Sequence, residues 1–100
     1  MDEATVREAA ETHAQATVER DYGTAGSFLS KEMMAAAGDV MKQMPGRLTE
    51  AEVLTAEPAG NGFSARIRYT GNEGSTTVES LWQEVDGRPK IVALDVVERS

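Results

Sequence analysis

The chain has 100 residues, 40% hydrophobic and 27% charged, with a formal net charge of −7. That describes one globular domain with a single core, and the acid excess argues against a nucleic-acid surface, which needs clustered Lys and Arg. With no cysteine and His13 as the one histidine, disulfides and a Cys/His zinc site are excluded, and no apolar run approaches the ~20 residues of a membrane span.

Asp2 to Arg20 reads as a first helix. At about 100° per residue, Val6, Ala9, Ala10, His13, Ala14, Ala16 and Thr17 share one arc, and Glu3, Arg7, Glu8, Glu11, Gln15 and Glu19 take the other. The apolar arc is mostly alanine, which permits close approach to whatever lies beneath, and His13 sits near its centre. Met1 to Glu3 lead straight into this charged helix without the apolar stretch of a signal peptide. The expected location is therefore cytoplasmic, unless the chain is a trimmed exported domain. Asp21 can cap a short helix from Tyr22 to Leu29, and Ser30 a third from Lys31 to about Met44. The apolar stripe of that third helix is Met33, Ala37, Val40, Met41 and Met44, ended by Pro45-Gly46. Its methionines suit either gap-filling in a small core or an adaptable wall facing a ligand.

Four strands follow. Leu48 to Glu57 is the first, and its facing is open: Leu54 and Ala56 point inward under one loop register, Val53 and Thr55 under the other. Pro58 to Gly62 is turn material. Phe63–Thr70, Ser75–Val85 and Pro89–Val97 then form consecutive antiparallel strands, joined at Gly71-Asn72-Glu73-Gly74 and at Asp86-Gly87.

Turn length fixes which side chains share a face. A two-residue turn at Asp86-Gly87 sets Trp82 opposite Ile91, Ser80 opposite Ala93 and Val78 opposite Asp95. A two- or four-residue turn around Asn72-Glu73 sets Phe63 opposite Trp82, Ala65 opposite Ser80, Ile67 opposite Val78 and Tyr69 opposite Thr76. These residues make one face, with the aromatics, which should lie under the helices. The other face carries Arg66, Arg68, Glu79, Leu81, Gln83, Lys90, Val92, Leu94 and Val96, with Arg66 paired across the strands to Glu79. A three-residue bulged turn at Asp86-Gly87-Arg88 would exchange the faces of the last strand.

The order helix, short helix, helix, bent antiparallel sheet resembles the nuclear-transport-factor-2-like superfamily, a cone-shaped α+β roll. The residues that carry the likeness are Arg20-Asp21-Tyr22, the break at Phe28-Leu29-Ser30, and Asp86-Gly87-Arg88-Pro89-Lys90-Ile91-Val92 at the last hairpin. In that superfamily the hairpin often reads Asp-Gly, a basic residue and an aromatic; Pro89 stands here in the aromatic's place. The resemblance is greatest to the branch of small bacterial proteins, and it implies helices on the concave face of a four-stranded sheet. Superfamily members include ketosteroid isomerase, scytalone dehydratase and polyketide cyclases beside many binding modules. Enzymes of the group place acids, His or Tyr inside the cone, and many members dimerise sheet to sheet.

The small residues Ala65, Ser80 and Ala93 fall in one row, whose space is filled by helix side chains or by a small apolar molecule. Tyr22, Met41, Tyr69 and Trp82 would line such a pocket. Asp95, the one acid assigned to the inner face, could serve as a general base with His13 as its proton partner. That arrangement describes an isomerase, dehydratase or cyclase acting on an apolar carbonyl compound. No Ser–His–Asp set, phosphate-binding glycine loop or metal cluster can be assembled, and no cofactor is implied. On the outer face Leu81, Val92, Leu94 and Val96, crossed by Arg66 and Arg68, form an apolar strip that calls for a partner, a homodimer by the resemblance. The expectation is a binding or interaction domain with a modest apolar pocket, and the enzyme is its rival.

Overall fold

A computed structural model describes all residues from Met1 to Ser100. It is an α+β domain: helices α1 (Glu3–Val18), α2 (Tyr22–Gly26) and α3 (Met34–Met41) precede strands β1 (Leu48–Ala59), β2 (Gly62–Gly71), β3 (Gly74–Val85) and β4 (Arg88–Arg99). The strands form one antiparallel meander in the order β1-β2-β3-β4. No helix is long and apolar enough to cross a membrane.

The capping aspartates start their helices as the sequence predicts. Asp2 accepts from the Thr5 amide at 2.8 Å and Asp21 from the Thr24 amide at 3.2 Å. Those bonds hold both carboxyls below the ordinary aspartate range. Val6, Ala9, Ala10, Ala14, Ala16 and Thr17 of α1 are buried, the arc expected of them, and α1 lies across β1 and β2. The second and third helices are shorter than expected. Helix α2 stops at Gly26, a turn carries the chain through Phe28, and Leu29 makes an isolated parallel bridge to Ile91 of β4: the Ile91 amide donates to the Phe28 carbonyl at 2.7 Å, and the Ser30 amide to the Ile91 carbonyl at 2.9 Å. Helix α3 follows a 3-10 turn at Lys31–Met33 and ends at Met41, so Met44 lies beyond it.

The hairpins explain the sheet. Asp86 and Gly87 both take positive φ, 53° and 78°, which two-residue turns with the right-handed twist of their strands require. Gly71 pairs with Gly74 around Asn72-Glu73, and Ala59 with Gly62 around Gly60-Asn61, so β1 runs two residues further than expected, through Pro58. Gly62 has no room for a side chain, because a Cβ there would stand 1.9 Å from the Trp82 carbonyl oxygen. Between β2 and β3 the register is the expected one in every pair, from Phe63 opposite Trp82 to Tyr69 opposite Thr76.

The last strand departs from expectation after Ile91. Trp82 faces Ile91, but Val92 is then bulged, so Leu81 faces Ala93, Ser80 faces Leu94, Glu79 faces Asp95 and Val78 faces Val96. One extra residue reverses the alternation. Leu94 and Val96 therefore pack against the core under the helices, while Ala93 and Asp95 lie on the outer face, and Asp95 is exposed. The turn at Asp86-Gly87 has the expected length; the bulge overturns the facing of Ala93, Leu94, Asp95 and Val96. A bulge at Leu54 resolves the open question in β1. Val53 faces Ile67 on one side of it and Ala56 faces Ala65 on the other, so both point inward.

Under this register Leu94→Ala should cost about 2 kcal/mol in urea unfolding, as expected of a half-buried leucine, and Asp95→Asn should leave stability unchanged. The opposite ranking would mean that Asp95, not Leu94, faces the helices.

Candidate functional site

Trp82 and Ile91 are fully buried at the centre of the inner face. The Trp82 indole lies over its own strand: Nε1 donates to Ser80 Oγ at 2.8 Å, and Ser80 Oγ donates to the Ala65 carbonyl at 2.9 Å. The space expected above Ala65 and Ser80 is thus filled by a side chain rather than a ligand, and the polar groups beneath it are satisfied. Phe28 and His13 complete a cluster of three rings packed edge-on, with centroids 6.0 Å (His13–Phe28), 6.2 Å (His13–Trp82) and 6.0 Å (Phe28–Trp82) apart.

The open space lies to one side of this cluster. A cavity of about 230 Å³ separates α3 from the sheet and the end of α1. His13 and Thr17 of α1, Tyr22, Ala25 and Gly26 of α2, and Leu29 form one side. The helical wall is Met34, Ala37, Gly38, Val40 and Met41, with Met44 after it; the sheet contributes Tyr69, Val78 and Leu94. Tyr22 and Met34, each more than half exposed, stand at the rim. Of the residues expected to bind a ligand, Tyr22, Met41 and Tyr69 line this cavity. Ala65, Ser80 and Trp82 lie buried outside its lining, and Ala93 is on the opposite face of the sheet.

His13, Thr17 and the two tyrosines are the polar side chains of an otherwise apolar lining. His13 Nδ1 stands 3.0 Å from the Ala25 carbonyl. A carbonyl only accepts, so Nδ1 carries the proton and Nε2 holds the lone pair. Burial pushes the His13 pKa below its ordinary value, with the Ala25 carbonyl opposing, so the imidazole stays neutral at pH 7. Tyr69 is 2% exposed, and burial pushes its hydroxyl up to about 12. Thr17 stands beside that hydroxyl and donates its own proton to the His13 carbonyl at 2.9 Å. No Asp, Glu, Lys or Arg lines the cavity.

The proposed pair of Asp95 and His13 is not assembled: Asp95 projects from the outer face opposite Glu79, with the sheet between it and His13. No group of three or more His, Asp or Glu side chains is placed to hold a metal ion. Sequence reasoning missed Leu94 and Val78 as lining residues. The signal for Leu94 was available in the mismatch of an acid with an apolar face. The helix-three stripe, read as core or as ligand wall, does both: Val40 is buried while Ala37, Met41 and Met44 border the cavity.

The outer face differs from the expected apolar strip. Leu94 and Val96 have left it, so Leu81, 37% exposed, has Ala93 across from it and the half-buried Val92 at the bulge. Arg66 and Arg68 are engaged within the sheet, by Glu79 at 3.2 Å and Glu52 at 2.7 Å. Paired charges of this kind are at home in water and are worth at most ~1 kcal/mol each.

The neutral His13 gives a pH signature with a definite sign. Its folded pKa lies below the 6.5 of an unfolded chain, so the unfolded state takes up the proton first as pH falls. Its contribution to stability should be complete above about 6.5 and be lost between there and the folded value. As His13 is the single histidine, proton NMR of its ring should show a midpoint below 6.5, and a midpoint at or above that value would mean the ring is not buried as described. Ser80→Ala, which strands the buried Trp82 N–H, should cost about 1–3 kcal/mol in the same unfolding assay.

The chain matches no protein-family model, no curated protein and no solved structure.

Proposed function

We propose that the chain is a non-catalytic binding domain for a small apolar molecule, built on the nuclear-transport-factor-2-like plan. The observation that carries this reading is the lining of the cavity: apolar walls, a few neutral polar side chains and no Asp, Glu, Lys or Arg. An apolar cavity of about 150 Å³ admits benzene, so about 230 Å³ has room for one ring or two fused rings. Methionines on one wall can shift to fit such a ligand at small cost, and the rim at Tyr22 and Met34 gives access from solvent. Support for the superfamily plan comes from the element order and from the break in the helices at Phe28-Leu29-Ser30. In the rival reading Asp95 is the base that abstracts the proton, and Asp95 lies on the outer face of the sheet, away from the cavity. With its charges paired and its apolar strip dispersed, the outer face does not call for a second copy in this reading.

Ala37→Leu extends a helix side chain into the cavity. Small aromatic compounds should perturb the amide NMR signals of Ala37, Tyr69 and Leu94 in the native chain, and should lose that effect in the folded Ala37→Leu variant. If no compound moves these signals, or if the variant responds as the native chain does, the cavity is not a binding site.

A further inference from the structure

One polar atom that the cavity leaves open narrows the ligand. Two protons are already committed nearby. The His13 Nδ1 proton goes to the Ala25 carbonyl at 3.0 Å, and the Thr17 hydroxyl proton goes to the His13 carbonyl at 2.9 Å. What remains on the imidazole is the lone pair of Nε2. That atom has no protein partner, yet no buried side-chain nitrogen or oxygen is left unsatisfied. It thus reaches accessible space, and His13 lines the cavity.

We propose that the cavity selects a neutral, ring-sized apolar molecule carrying one N–H or O–H donor, which His13 Nε2 accepts. This inference rests on the cavity being the ligand site. A ligand without a donor would desolvate the imidazole lone pair and leave it unpaired, which costs affinity. An anion would enter a lining with no Lys or Arg to meet its charge. The site therefore disfavours donor-free rings and, more strongly, carboxylates. Fused rings such as indole are within the volume available.

Indole and benzofuran differ chiefly in one N–H and are the probes that separate the possibilities, with indole-3-carboxylate as the anionic arm. In NMR titrations of the native chain indole should bind about three- to tenfold tighter than benzofuran, and indole-3-carboxylate should bind more weakly than either. The preference for indole should vanish in His13→Leu. Should that variant fail to fold, the ¹⁵N signal of His13 Nε2 in the native chain supplies the same test, since it must move on saturation with indole and stay in place with benzofuran. Equal binding of indole and benzofuran, tight binding of the carboxylate, or an unmoved Nε2 signal would overturn the donor rule while leaving the cavity a binding site. Failure of all three compounds to bind would overturn the binding reading itself.

Discussion

Ile91 is where the helical half and the sheet are tied by backbone as well as by side chains. Its amide and carbonyl reach away from β3 to Phe28 and Ser30, while its side chain is wholly buried against Trp82. Side-chain packing alone allows helices to slide over a sheet, whereas two hydrogen bonds at 2.7 and 2.9 Å fix the chain in one register. The placement of everything downstream of α2 follows. Phe28 is brought against Trp82 and His13, Ser30 starts the turn into α3, and α3 is held at a distance from β4 that leaves the cavity open.

The cavity exists because the neighbouring space is so well filled. Protein interiors pack to a density of about 0.75, and beside Ala65 and Ser80 the Trp82 indole achieves this. Over Tyr69, Val78 and Leu94 the covering helix offers Ala37 and Gly38, which are too short to reach the sheet. Met34, Met41 and Met44 border the gap instead of closing it. Volume has been concentrated in one aromatic at the centre and withheld from the short third helix.

The helices, the hairpin turns and the whole β2–β3 register could be read from local chemistry, because each rests on a short-range rule: a capping Asp, a turn with Gly, strict alternation. The bulges at Leu54 and Val92 could not be read from turn length, since one extra residue needs no glycine or proline to announce it. A thermodynamic clue was nevertheless present in β4. Strict alternation after Ile91 would turn Asp95 toward the core, and an unpaired buried carboxylate costs several kcal/mol. A bulge leaves one residue unpaired and turns Leu94 and Val96 inward in place of Ala93 and Asp95. Comparing those two costs favours the observed strand. The candidate site divides accordingly: Tyr22, Met41, Tyr69 and His13 line the cavity; Ala65, Ser80 and Trp82 keep their expected face but are buried beside it, because the indole fills the space above them; Ala93 and Asp95, which depend on β4, lie on the opposite face.

The irregularity of β1 has a consequence for how the molecule behaves in a crowd. It is the outermost strand of the meander on its side, twelve residues long, and a straight run of that length is a template on which other chains polymerise. Here the register breaks near Thr49 and again at Leu54, and Pro58 removes one of the donors. Glu50, Glu52 and Glu57 add like charges that repel an identical incoming strand. The same extra residue that lets Val53 and Ala56 both reach the core therefore also protects the protein from growing into fibres.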